Sequence, residues 1–413
     1  MSKEAGRYRV GVIALHPIQY QAGLWRTLAR HPRLDVKVIY LDRVGLDGSI
    51  DPTMKAPMKW DVPLLEGYDH EFVPNWSRFR FTPIIQRINP GLPERLRAGA
   101  YDAILVHGYL TLSNWLALWT ARRTGMRVVY RGEGSMRGRD RHDSRLAGLL
   151  KGPTNRFFLR HCDAIAHSSS DNRRYQISRG ADPEQLFPMP CAVDNETLQA
   201  FSAASDCEAF RKRHGIPDEA RLILTVGRFT ENKRTQDCID ALSQPVLQEQ
   251  EDVHLLVAGD GPLRADLERR ARELKLAERV HFLGFLGQKE IVEAALTSEL
   301  FVLASSYGDP SPKALAEALF LGLPAVCSDG VGTCHDVIVD GENGFVFPTA
   351  DVARMAGHIA QTLSDPVRRA AMGERSREVA RRDDFQAGVD SLVARLDRLS
   401  ESVVGPRDGG STS

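Results

Sequence analysis

The 413-residue sequence holds no Cys-x-x-Cys pair and no histidine–cysteine cluster at metal-ligand spacing. Its six cysteines, at 162, 191, 207, 238, 327 and 334, are scattered. That scatter argues against a zinc ribbon or a redox dithiol, and fits buried or incidental thiols in a reducing compartment. Long apolar runs are missing too, since none approaches the roughly 20 residues of a membrane span. A charge excess of either sign is lacking, with 54 Lys plus Arg against 54 Asp plus Glu, so no global pull toward nucleic acid is expected. The opening MSKEAGRYRV runs straight into a short strand pattern, unlike a signal peptide. No repeat of fixed period is present. The expectation is a cytoplasmic protein of two or three domains whose membrane association is at most peripheral.

What is present is a train of short Val/Ile/Leu runs separated by helical patterns. In the first half these are RVGVIAL (9–15), DVKVIYL (35–41), YDAILVHG (101–108), RVVYRGE (127–133) and CDAIAHSS (162–169). In the second half they are RLILTVGRF (221–229), VHLLVAGDG (253–261), RVHFLG (279–284), ELFVLAS (299–305), PAVCSD (324–329) and NGFVFP (343–348). Near-continuous apolar runs between helices are the pattern of parallel strands buried on both faces. Eleven strands suit two doubly wound α/β domains better than one sheet.

The seam is expected near QLFPMPCAVDNETLQAF (185–201), where prolines and polar residues precede a new helical pattern. This divides the chain into an N-terminal Rossmann-like domain (1–195), a C-terminal one (196–384), a helix (385–402) packing back on the first domain, and a disordered tail (403–413). A long irregular stretch, 42–100, carries Trp60, Trp76 and several prolines, and loops of that length are usually functional or hold small elements of their own.

Ligands of doubly wound sheets gather where strands end and helices begin. At one such junction, GDPSPKALAEAL (308–319), Ser311 is expected to cap the helix and Pro312 to be its first residue. The amides of Lys313 and Ala314 are then free for an anion, with the lysine charge beside them. Asp309 and Glu317 flank that helix start and are either surface acids or partners for ligand hydroxyls. At TVGRFTENKRTQD, Arg228 and Lys233 stand on either side of a turn, as solvated cations or as a pair suited to a diphosphate. Gly259 and Gly261 in VAGDGPLRADL follow a strand, but the third glycine of a dinucleotide fingerprint is missing, which argues against a dehydrogenase.

In LHPIQYQAGLW, His16, Gln19, Gln21 and Gly23 are polar or small residues that either serve the fold or let a phosphate or sugar approach. His107 ends the YDAILVHG run. In VVYRGEGSMRGRDRHDSR, Arg131, Glu133 and four further arginines form either a solvated loop or an acceptor or phosphate contact. NWSRFRF (75–81) is a short mixed run and poor evidence for lipid contact. No Asp-x-Asp follows a strand, which argues against a carboxylate-held metal on a nucleotide diphosphate.

Taken in order, VGRFTENKRTQDCIDAL (226–242), VAGDGPLRADL (257–267), VHFLGFL (280–286) and DPSPKALAEALFLGLPAVCSDGVGTCHDVIVDGENGFVFP (309–348) resemble the donor domain of retaining GT-B-fold glycosyltransferases of family 4. HPIQYQAGLW, WDVPLLEGYDHEF (60–72) and YRGE (130–133) resemble one bacterial branch. The resemblance implies a metal-independent hexosyltransferase using a nucleotide-diphosphate sugar, UDP favoured and GDP the alternative, with no cofactor. Its acceptor would be small, lipid-linked or oligosaccharide.

By the same resemblance Arg228 and Lys233 hold the diphosphate, which the free amides of Lys313 and Ala314 would also meet, and Glu317 holds the ribose. Asp309 and Ser311 meet the sugar, and His16, Gln21, Gly23, His107, Arg131 and Glu133 belong to the acceptor cleft. Where the family usually has glutamate, this chain has Asp309; where a Phe-Gly pair is common, it has Ser311-Pro312; and Glu133 stands where a histidine is often found. The competing readings are an epimerase or hydrolase of nucleotide sugars on the same fold, or a catalytically silent binding module.

Overall fold

In the computed structural model, which describes residues 6–46, 61–77, 84–136 and 145–404, the apolar runs become the strands of two parallel sheets. The first holds β1 (Tyr8–Ala14), β2 (Leu34–Tyr40), β3 (Asp69–Phe72), β4 (Ala103–His107), β5 (Arg127–Arg131), β6 (Ala164–His167) and β7 (Leu186–Pro188), in the order β3-β2-β1-β4-β5-β6-β7. The second holds β8 (Arg221–Val226), β9 (Val253–Ala258), β10 (Val280–Gly284), β11 (Leu300–Leu303), β12 (Ala325–Ser328) and β13 (Gly344–Phe347), in the order β10-β9-β8-β11-β12-β13. The chain reverses its direction of travel between β1 and β4, and again between β8 and β11. Helices diverge to opposite faces at such a point and leave a crevice at the carboxyl ends of the strands.

Alternation along each strand fills two layers per sheet. From β1, Val12 and Ala14 enter one core and Ile13 the other. From β8, Leu222 and Leu224 go one way and Ile223 the opposite way. Register keeps the apolar positions level, with Val10 opposite both Val36 and Ala103, and Leu224 opposite both Leu256 and Phe301.

Two strands lie outside the eleven apolar runs, β3 (DHEF) and β7 (LFP). Both are sheet edges, pairing only with β2 and β6. An edge strand needs less apolar surface, and β7 closes on Pro188, which has no amide to extend the ladder.

The chain leaves the first sheet at β7. The helix Asn195–Ala203 already belongs to the second domain, since its buried Leu198 joins that core together with Val193. The helix Phe385–Val404 returns, and Phe385, Val389, Leu392, Val393 and Leu396 pack with Leu24, Trp25 and Leu28 of the first domain. Burying five such side chains is worth on the order of 1.5–3 kcal/mol each before entropy is subtracted. Arg33 holds Asp397 with bonds of 2.8 and 2.7 Å, and the Tyr8 hydroxyl donates to the same carboxylate at 2.8 Å. Among the described residues no helix is long and apolar enough to cross a membrane.

Candidate active site

After β11 the chain forms a loop and then the helix Lys313–Phe320. Its cap is Pro312, at φ −67° and ψ 123°, rather than Ser311, and no side chain caps the helix. The proline ring sets φ, the extended ψ keeps the residue outside the helix, and Ser311 is drawn away by a 3.1 Å hydroxyl contact with Ser168 of the first domain. The leading amides, from Lys313 onward, therefore have neither an intrahelical acceptor nor a side-chain oxygen, and carry the positive end of the helix dipole.

The Lys313 side chain does not add its charge to the helix start in the way its position suggests. Its ammonium donates to the Ala192 carbonyl at 2.8 Å, approaches Cys191 Sγ at 2.7 Å and lies 5.5 Å from the centre of the Tyr20 ring. It ties the helix to the interdomain linker, so that of Lys313 only the backbone amide remains as a donor at the helix start.

Lys233 comes from a short turn, Glu231–Lys233, after β8. Its ammonium lies 2.5 Å from Oδ2 of Asp309, which also accepts from the Ser305 hydroxyl at 2.8 Å. Asp309 is only 7% exposed. The two loops are stitched by Asn232, whose carbonyl accepts from the Ser306 amide at 2.8 Å and whose side-chain amide donates to the Tyr307 carbonyl at 3.2 Å. Arg228 is exposed on the same loop. The Gly259 turn presses on this loop from β9: a Cβ there would fall 1.9 Å from the Gly227 carbonyl oxygen, at a φ of +138°. That glycine serves close approach of two loops, a role independent of any dinucleotide fingerprint.

Glu317 sits one to two turns into the helix Lys313–Phe320. Gln288 donates to its Oε1 at 3.0 Å, and the Gln19 side-chain amide of the first domain donates to Oε1 of Gln288 at 3.2 Å. Burial raises the Glu317 pKa, opposed by the Gln288 hydrogen bond and the Lys313 charge.

Arg228, Lys233, Asp309, Ser311, Lys313, Ala314, Glu317 and Glu133 all line one cavity of about 420 Å³ between the domains. Five other expected cleft residues do not. His107 packs edge-on against Trp25 with centroids 5.2 Å apart, and burial with the nearby Arg131 charge lowers its pKa to about 3. Arg131 is buried and donates to the Pro190 carbonyl at 3.4 Å, supporting the linker. Gly23 lets the first helix approach its neighbours, since a Cβ would meet the Phe385 ring at 2.7 Å. His16 turns to the Pro17 carbonyl, 3.1 Å away, and burial lowers its pKa. Gln21 lies off the cavity, whereas Gln19 and Tyr20 line it.

Tyr20, Asp260, Phe285 and Gln288 are further lining residues. The signal for Phe285 and Gln288 was available, because GFLGQ (284–288) is another strand-to-helix junction, after β10. The arginines at 137, 139 and 141, Trp60, and residues 78–81 of NWSRFRF lie outside the described residues, as does the side chain of Arg145.

Residues 206–379 match the family model "Glycosyl transferases group 1". N-acetyl-alpha-D-glucosaminyl L-malate synthase of Bacillus anthracis is 31% identical over 176 residues, 42% of this chain and 44% of that protein. The 2-deoxystreptamine glucosyltransferase of Streptomyces kanamyceticus is 30% identical over 188 residues, 45% and 47% of the two chains. The match thus spans about half the length of these curated relatives. In three dimensions the likeness is longer. HepE from Anabaena, solved with UDP, superposes with a TM-score of 0.68 at 16% identity over 96% of this chain and 100% of its own. Sucrose-phosphate synthase from Thermosynechococcus elongatus gives 0.71 at 18% over the same shares. Such low identities establish the fold, here the two-domain GT-B arrangement. The part of the chain that matches the glycosyl transferases group 1 family lies within the C-terminal domain, which carries the uncapped helix and the paired loops.

Proposed function

We propose that this chain transfers a sugar from a nucleotide-diphosphate donor to a hydroxyl acceptor, with retention at the anomeric carbon and without a metal. The observation that carries the reading is the convergence of Arg228, Lys233, Asp309, Glu317 and an uncapped helix N-terminus on one interdomain cavity. A diphosphate seated there would meet two cations and the first helical amides, the charge needed by a departing dianion. Glu317 would accept from the ribose hydroxyls, steadied by Gln288. Phe285, partly exposed at the cavity wall, offers a flat apolar surface to a base.

The Lys233–Asp309 pair stands in for the donor. An arriving phosphate competes for the ammonium, and the released Asp309 oxygen becomes available to a sugar hydroxyl. In the transfer step the bond from the anomeric carbon to the diphosphate oxygen breaks. The acceptor oxygen bonds to that carbon on the same face, and its proton passes to the departing phosphate. Closure of the two domains would exclude competing water.

UDP is the favoured nucleotide, supported by the UDP and UDP-glucose complexes of the HepE structures, with a GDP-sugar as the second candidate because one relative is a GDP-mannose-dependent mannosyltransferase. The acceptor belongs to polysaccharide, glycolipid or natural-product assembly. The test is a thermal-shift screen of UDP- and GDP-sugars, followed by product analysis with and without acceptor hydroxyls. Stabilisation by one donor and acceptor-dependent transfer are expected. Donor turnover that needs no acceptor would favour an epimerase or hydrolase, and no stabilisation by any nucleotide sugar would leave a silent module.

A further inference from the structure

The first domain carries an apolar surface that the cavity chemistry does not use. Trp76 is 74% exposed, Ile84 62% and Trp119 44%, and Leu110, Leu112 and Phe157 are exposed beside them. These residues come from three segments that touch. The Leu112 amide donates to the Ile84 carbonyl at 2.9 Å, and the Trp76 amide to that of Ile88 at 2.9 Å. Trp115 stacks on Phe157 with centroids 6.1 Å apart, and Trp119 lies 6.4 Å from the same ring. Water-facing aromatic clusters of this size on a soluble domain mark an interaction site.

The surrounding charge says what kind. The chain balances its charges overall, yet no acid occurs from Leu110 to Arg131 or from Ser144 to Cys162. Arg123, Arg156 and Arg160 are exposed on the two helices that carry the aromatic residues. A face with tryptophans and aliphatic tips at its centre, arginines at its margin and no acids on its helices matches the boundary between anionic headgroups and acyl chains. A second copy of the chain fits less well, because a two-fold contact would bring these arginines toward their own counterparts.

We infer that this face, on the helices Leu112–Thr124 and Arg145–Arg160 with the adjoining Trp76 and Ile84, docks the protein on an anionic phospholipid surface. Leu110 and Leu112 follow the carboxyl end of β4, beside the β1/β4 switch point. Docking here therefore brings the rim of the interdomain crevice to the headgroups, where a lipid-borne hydroxyl would be presented. Binding itself does not depend on the glycosyl-transfer reading.

The experiment is co-sedimentation of the full chain, without nucleotide, with phosphatidylcholine vesicles that either contain or lack phosphatidylglycerol. Binding to the anionic vesicles alone is expected, weakened by salt. The Trp76→Ser/Trp119→Ser variant should lose it, and Arg156→Glu/Arg160→Glu should bind roughly tenfold less or weaker still. Circular dichroism melts check that both variants fold, and the charge variant leaves the aromatic cluster untouched. Absence of binding to either vesicle overturns the proposal, as does undiminished binding by both variants. A dimer abolished by the serine variant, with no vesicle binding, would assign the face to a second copy and equally overturn it.

Discussion

The Lys233 ammonium and the Asp309 carboxylate lie 2.5 Å apart, joining the loop after β8 to the loop after β11. The pair is largely enclosed, so neither charge can be removed without consequence for the other. Lys233→Ala should abolish transfer and also destabilise the fold, by on the order of 2 kcal/mol, because a buried carboxylate is left without its cation. Adding Asp309→Asn should recover much of that stability and none of the activity, as read by chemical denaturation alongside turnover. Arg228→Ala, on an exposed position, should weaken nucleotide binding with little change in melting temperature. Normal turnover in both single variants would remove the diphosphate assignment.

Asp309 itself is one methylene shorter than the family's usual glutamate. Asp309→Glu should change the ranking of donors in a panel of nucleotide sugars, because the longer carboxyl would leave its position between Lys233 and Ser305. An unchanged ranking would make the shorter side chain irrelevant to donor choice.

Burial places Glu317 above the usual carboxylate range, and this has two consequences of opposite sign. Nucleotide affinity should fall as pH drops through the raised value, because a protonated carboxyl cannot accept from both ribose hydroxyls. Stability follows the reverse course: the folded chain holds this proton more tightly than the unfolded one, so the group's favourable contribution is complete below the unfolded value and is lost as pH rises through the folded one. Glu317→Gln should flatten both dependences. Gln288→Leu, which removes a hydrogen bond to the carboxylate, should move the affinity midpoint to higher pH in calorimetric titrations.

Gly259→Ala places a methyl group against the Gly227 carbonyl. A loss of about 3 kcal/mol is expected, with weakened nucleotide binding because the displaced loop carries Arg228. An unaltered melting curve would contradict the close approach of the two turns.

On the proposed reading the cationic loop and open helix end would supply the leaving-group charge, so turnover should persist in EDTA. Complete loss, restored by magnesium or manganese, would require a different account of the diphosphate.

The fold was legible where burial is two-sided. Continuous apolar runs announced eleven strands of two α/β domains, and each run lies in the sheet of its own half of the chain; β3 and β7 escaped because an edge strand can be polar or only three residues long. Motif order in the C-terminal domain led to residues that do share a cavity, because strand-to-helix junctions position them locally. The direction of a side chain was less legible: Lys313 turns to the linker and Ser311 to Ser168, choices made by tertiary partners more than a hundred residues away. The acceptor side shows the same limit. His107 and Gly23 look functional in isolation, yet the Trp25 and Phe385 rings that explain them come from distant helices.

The returning helix Phe385–Val404 means that the polypeptide passes between the domains twice, near 189–194 and again near 383–385. Met189 and Ala192 of the first passage share a core with Phe385 and Val389 of the second. Two adjacent passages behave like the two pins of a door. Such a pair would let the domains swing about the line through the pins while resisting twist and drift. Opening and closing would then be a single angular coordinate, and the Gln19–Gln288 and Ser168–Ser311 contacts, both made in this structure, would mark its closed end.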